Sequence, residues 1–294
     1  MDPQLIQLFV NGIAVGSIIA LAAVGLTLTY GILRLANFAH GDFMTLGAYC
    51  TLAIDTLLRG TIGFQSIWLA IVLGAVLTIG VALVTEKLLW SPMRDRRATS
   101  TTLIIISIGL ALFLRNGIIL IWGSANQKYD LSVVSAIDVL GIKIAQNRMI
   151  VVALAILVIL ALHYLLQNTK IGKAMRAVAD NVDLARVSGI NVEQVVIWTW
   201  VIAAGLTAIG GGMYGLVTAV RPNMGWFLIL PMFASVILGG IGNPYGAIAG
   251  AFVIGIVQEV STYWIPPEYK LGVALLMMVV VLLIRPQGIF RGTL

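Results

Sequence analysis

Long apolar runs alternate along this chain with short ionic clusters. Pro3 to Leu33 lies between Asp2 and Arg34, Gly60 to Thr85 between Arg59 and Glu86, Met149 to Thr169 between Arg148 and Lys170, and Gln194 to Val220 between Glu193 and Arg221. A helix needs about 20 mainly apolar residues to cross a hydrocarbon core, so each run predicts one span. Ala98 to Gln127 is also long enough, although Arg115 interrupts it, and Leu35 to Leu58 has the length but carries His40 and Asp42. Pro222 to Gln258 is uncharged and, at about 1.5 Å per residue, too long for one crossing. Its middle, Gly239-Gly240-Ile241-Gly242-Asn243-Pro244, suits a helix poorly, because glycine is flexible and proline lacks an amide donor. Two helices or half-helices joined there fit better. Leu271 to Ile284 is the last apolar stretch, ended by Arg285-Pro286. The pattern predicts an all-α polytopic membrane protein of eight or nine spans, two of them broken.

Composition removes the soluble alternative. The 294 residues are 60% hydrophobic and only 10% charged, against about 25% charged in a soluble domain. The net charge of +6 does not point to nucleic acid, because the 18 Lys and Arg sit in clusters between apolar runs. Such clusters mark cytoplasmic loops. Placing Arg34, Lys87, Arg94, Arg96, Arg97, Lys170, Lys173, Arg176, Arg186, Arg285 and Arg291 inside accounts for eleven of the 18. That orientation requires the N-terminus outside and the C-terminus in the cytoplasm. Nine spans follow if both broken segments cross; one re-entrant segment gives eight and moves a terminus to the other side. Met1-Asp2-Pro3-Gln4 lacks the basic start of a cleaved signal, so the first run is expected to be a mature span. The single cysteine, Cys50, has no internal disulfide partner and is expected to be packed.

Small residues recur four apart at Gly12 and Gly16, Gly211 and Gly215, and Gly246 and Gly250. That spacing lets helix backbones approach closely in lipid, here within the chain in preference to a dedicated dimer contact. Three further segments carry information. Asn37-Phe38-Ala39-His40-Gly41-Asp42 puts a carboxylate inside an apolar stretch, where such groups face a cavity or a partner. His40 and Asp42, two apart, fall on different sides of a regular helix. The segment is either a capping and packing knot or part of a translocation path. Gly239 to Gly246, with Gly240, Gly242 and Asn243, is either a break lining such a path, with Asn243 capping the next half-helix, or a tight cytoplasmic turn. Thr169 to Glu193 is too polar to span. Ile171, Met175, Val178, Val182 and Ala185 share one apolar face, with Lys170, Lys173 and Arg176 off it, Gly189 as a stop and Asn191 with Gln194 as the next cap. An amphipathic helix there rests on lipid headgroups or docks into a partner protein.

These residues carry a resemblance. Asn11-Gly12, Gly16-Ser17, Tyr30-Gly31, Asn37 to Asp42, Gly172-Lys173-Ala174-Met175-Arg176-Ala177, Ala185-Arg186, Gly189-Ile190-Asn191, Leu238 to Gly242 and Pro286-Gln287-Gly288-Ile289, in this order, resemble the permease subunits of ATP-binding-cassette importers for branched-chain amino acids. They are closest to the smaller of the two permeases. The resemblance implies a bacterial inner-membrane heteromer: a homologous second permease, two cytoplasmic ATPase subunits and a periplasmic amino-acid-binding protein. It makes Lys170 to Asn191 the coupling helix against an ATPase, with Lys170, Lys173, Met175, Arg176, Val178, Ala185, Arg186 and Gly189 in the contact region. The acidic-alanine-alanine motif of many other importers is lacking there, where Ala177, Ala185 and Gly189 stand.

The chain has no phosphate-binding Gly-x-x-x-x-Gly-Lys-Ser/Thr loop, since Gly172-Lys173 lacks both the earlier glycine and the following hydroxyl. No cofactor or metal is therefore expected on it, with ATP and magnesium bound by the partner subunits. His40 and His163 are its only histidines, and no serine lies in a Gly-x-Ser-x-Gly turn, so no catalytic residue is expected. A permease for urea or short amides is the nearest alternative, and a stand-alone secondary transporter a more distant one.

Overall fold

The computed structural model describes residues 2–62, 66–130, 136–139, 142–285 and 287–290; Pro286 of the last landmark and Arg291 of the basic tail lie outside the described residues. Helix α1 (Pro3–Leu33) begins where the Asp2 side chain accepts from the Gln4 amide, and it ends where Arg34 turns left-handed at φ 52°. The connection 34–39 stays inside the protein, with Leu35, Asn37 and Ala39 buried, and leads into α2 (His40–Ile62). The expected break in this region is thus a buried connection followed by one continuous helix.

Helix α3 (Ile67–Thr85) was expected to stop at the ionic pair Glu86-Lys87. It instead continues through a π turn (Glu86–Trp90) into α4 (Ser91–Asp95). The reason is local: Arg94 pairs with Glu86 through both carboxylate oxygens, and Trp200 Nε1 donates to Glu86 Oε2 at 2.5 Å. A buried carboxylate with three donors does not force the helix to end. Helix α5 (Ser100–Trp122), capped by Thr99, precedes a loop and a short antiparallel hairpin, β1 (Ala136–Val139) with β2 (Ile142–Ala145). This hairpin has no counterpart in the expected all-helical pattern.

Helix α6 (Gln146–Asn168) is followed by α7 (Lys170–Asp180) and α8 (Val182–Val187), capped by Thr169 and Asn181. Helix α9 (Val192–Val217) starts at the expected Asn191 cap, whose side chain accepts from Gln194 N at 3.0 Å. Helices α10 (Met224–Gly239), α11 (Pro244–Val260) and α12 (Lys270–Ile284) complete the chain.

Seven helical segments among the described residues are long and apolar enough to cross a membrane: Pro3–Leu33, Ile67–Asp95, Ser100–Trp122, Gln146–Asn168, Val192–Val217, Pro244–Tyr263 and Pro267–Ile284. Two long helices fall outside that test. Helix α2 carries Asp42, Asp55 and Arg59, and α10 has 16 residues, about 24 Å against a core about 30 Å thick. The expected eight or nine spans correspond to these seven with α10 and α2 added.

Helices α1 and α9 form the centre, with 67% of each apolar window buried, whereas α12 stands at the periphery with 6%. The glycine pairs serve contacts within the chain. A Cβ on Gly12 or Gly16 would strike the α11 backbone at Ile256 or Phe252, and one on Gly250 would strike Ser235 of α10. In lipid, where hydrophobicity does not drive helices together, this close approach supplies the packing energy.

Candidate functional site

The start of α2 and the residues just before it place three buried polar side chains, Asn37, His40 and Asp42, within the apolar bundle. Asn37 Oδ1 accepts from Ala39 N at 3.0 Å, and Phe38 N donates to Ser107 Oγ of α5 at 3.1 Å. These bonds satisfy amides that the helix start leaves without partners. His40 points toward α1 and α9: its Nε2 lies 2.9 Å from Ala22 O and 2.8 Å from Thr207 Oγ1. Ala22 O can only accept, and the Thr207 hydroxyl donates to Ala203 O at 2.7 Å. Nε2 therefore carries the proton and shares it between two acceptors.

Asp42 points the other way, toward α5. Arg115 Nε donates to its Oδ1 at 3.1 Å and Nη2 to its Oδ2 at 3.0 Å, a bidentate pair. The Arg115 Cζ stands 4.9 Å from the centroid of the Trp226 ring, at the start of α10. The starts of α2 and α10 meet back to back, and a Cβ on Gly41 would strike the Gly225 carbonyl. Thr45 Oγ1 closes this junction by accepting from Gly225 N at 2.9 Å and donating to Gly41 O at 3.3 Å. His40 and Asp42 thus tie one helix start to three neighbours, α1, α9 and α5, and do not form one constellation. The depth is set by the partners of His40: Ala22 lies well inside α1 and Thr207 near the middle of α9.

Gly240, Gly242 and Asn243 form a tight turn between α10 and α11. Gly240 (φ 105°) and Gly242 (φ 88°) hold backbone conformations that a side chain would strain. Asn243 Oδ1 accepts from Tyr245 N at 3.0 Å and Gly246 N at 3.1 Å, so both a turn and a helix cap are present. Gly242 N donates to Thr27 Oγ1 of α1 at 2.9 Å. Gly25, two residues away on α1, faces His40, so α1 stands between this turn and the His40–Asp42 group.

The amphipathic segment folds its apolar face onto its own chain. Met175, Val178 and Ala185 are buried with residues of α1 and α6, while Val182 is exposed. Lys170, Lys173, Arg176, Arg186 and Gly189 are on the exposed side. Arg176 is committed within the chain, its Nη1 donating to Leu166 O and to Gln167 Oε1, each at 2.8 Å. That places a cation on the carbonyls that end α6, where the helix dipole favours it.

Sequence reasoning left several of these partners unfound. Arg115 stood out only as an interruption, because its acid lies 73 residues away and local spacing cannot pair them. Thr207 and Trp226 sit in apolar runs without distinguishing marks. Asp55, buried and paired with Arg59 one helical turn on at 3.1 Å, was readable as an i,i+4 pair.

Residues 8–282 match the family described as "Branched-chain amino acid transport system / permease component". The chain is 30% identical to the high-affinity branched-chain amino acid transport system permease protein LivH of Escherichia coli (strain K12), over 97% of this chain and 94% of that relative. It is 29% identical to the corresponding permease protein BraD of Pseudomonas aeruginosa, over 97% of this chain and 95% of that relative. Among solved structures it resembles PsaBC from Streptococcus pneumoniae in complex with Fab, with a TM-score of 0.52, 11% identity, and coverage of 94% of this chain and 91% of that one. At that identity the likeness concerns the fold alone. With nearly the whole bundle inside the match, the chain belongs to the branched-chain amino acid transport system permease component family.

Proposed function

We propose that this chain is a transmembrane permease subunit of an ATP-driven importer that moves branched-chain or other hydrophobic, neutral amino acids from a binding protein into the cytoplasm. The observation that carries the reading is the family match over residues 8–282, which includes α7 and α8 set between two membrane-crossing helices. The chain acts as a single permease domain in a bacterial inner membrane, with its basic end and C-terminus in the cytoplasm. Its partners are a homologous second permease, two cytoplasmic ATPase subunits, a periplasmic amino-acid-binding protein and the surrounding lipid. ATP and magnesium belong to the ATPase subunits, and this chain contributes no catalytic residue.

The exposed face of α7 and α8 is the surface offered to an ATPase subunit, through Lys170, Lys173, Arg186 and Gly189. Met175, Val178 and Ala185 anchor the opposite face to the bundle, so that a push on the segment reaches α6 and α9 as a rigid displacement. An ATPase dimer that binds one arrangement of this face more tightly when loaded with nucleotide shifts the permease between its states. Uptake of labelled leucine and labelled urea by cells lacking only this gene, with a complemented strain as control, tests the assignment. Loss of leucine uptake alone, restored on complementation, is the expected result; loss of urea uptake alone would move the substrate to the amide class.

A further inference from the structure

The Asp42–Arg115 pair occupies one edge of the guanidinium and leaves another open. Nε and Nη2 meet the two oxygens of Asp42, which is the side edge of the fork. The end edge, formed by Nη1 and the second hydrogen of Nη2, meets no acceptor among the described residues, and Nη1 is not one of the sealed, unpartnered polar atoms. The Arg115 side chain is 15% exposed and that of Asp42 is 1% exposed, so the acid is sealed while the arginine keeps a small accessible surface. The half-exposed Trp226 ring lies against the guanidinium, with Cζ 4.9 Å from the ring centroid, at the start of the 16-residue helix α10, whose positive dipole end favours an anion.

An arginine edge turned toward hydrocarbon near mid-bundle would carry a heavy penalty, and such groups face a water-filled cavity or a partner instead. We propose that the end edge of Arg115 receives the carboxylate of the amino acid in transit, with Trp226 beside it for the apolar side chain. This rests on the permease reading above and names the chemistry its path recognises. A guanidinium offers five donors in a rigid fork, so a second carboxylate binds without displacing Asp42. The Asp42–Arg115 pair has no net charge, and a zwitterionic substrate adds none, which keeps the loaded site neutral in a poorly solvated place. Urea and amides have no carboxylate for the fork.

The test uses the detergent-purified whole complex, both permeases with both ATPases and without the binding protein. Labelled leucine is bound and then challenged with excess leucine or with leucinamide, which lacks the carboxylate. Leucine displaces the label and leucinamide does not, if the fork reads the carboxylate. The double variant Asp42→Asn/Arg115→Gln removes both charges while allowing a neutral hydrogen-bonded contact, and its elution as an intact complex separates recognition from folding. Its leucine affinity falls by at least about tenfold, as loss of a charge-assisted bond requires. Equal displacement by leucinamide, absence of binding to the parental complex, or parental affinity in an intact double variant would each overturn the proposal. Parental liposomes supplied with binding protein and ATP report separately on the permease reading, which fails if they take up no leucine.

Discussion

Removing one half of the Asp42–Arg115 pair leaves a buried charge without its partner, and that penalty exceeds whatever the pair contributes when intact. Arg115→Met should therefore destabilise the folded chain by about 3–5 kcal/mol, read from chemical denaturation of the purified protein in detergent. Asn243 works on a smaller scale, because its side chain caps two amides at the start of α11. Asn243→Ala should cost about 1 kcal/mol, visible as a lowered melting temperature with assembly retained. These two residues also mark what a sequence discloses. Asn243 was legible because a cap acts on the next three residues and leaves a local signature. The partner of Asp42 was not, because 73 residues separate the pair and only the fold brings them together. His40 was legible as an oddity in an apolar run, whereas its acceptors, Ala22 O and Thr207, look like any other positions in a span.

Elements followed their boundary chemistry closely where caps set the ends. The proline start of α1, the Asn191 cap of α9 and the left-handed Gly189 before it are all written locally. Helix α3 ran past its expected end because Arg94 pairs with Glu86, the residue that marked the boundary, and Trp200 of α9 adds a hydrogen bond to it. The segment α7–α8 had its apolar face read correctly at Met175, Val178 and Ala185, but what that face packs on depends on α1 and α6. Its two kinds of cation now separate by experiment. Arg176→Ala should loosen the α6–α7 junction and lower the melting temperature, since Arg176 caps Leu166 O. Lys173→Glu, on the exposed side, should leave the melting temperature unchanged and reduce leucine uptake per ATP hydrolysed by roughly tenfold, the effect of losing about 1.4 kcal/mol of contact. Unaltered coupling in an intact Lys173→Glu complex would remove that residue from the ATPase contact.

At the scale of the whole molecule, a buried pair of helices, α1 and α9, carries more peripheral ones whose apolar faces need lipid or another subunit to cover them. The hydropathy pattern made that class legible from the sequence, since no soluble surface covers so much apolar side chain. The arrangement of helices around α1 was not legible, because close glycine contacts form between segments as distant as Gly16 and Phe252. Orientation is tested with single engineered cysteines, and the native Cys50 is buried, which keeps the background low. Glu268→Cys, in the connection between α11 and α12, should react with an impermeant maleimide in intact cells, and Val187→Cys only after permeabilisation. The most direct measurement of the central claim is ATP-dependent uptake of labelled leucine into liposomes holding this chain with its second permease, both ATPases and the binding protein. Accumulation of leucine that needs ATP and the binding protein, with urea excluded, is the predicted result. Uptake of urea in place of leucine, or leucine uptake that proceeds without ATP, would contradict it.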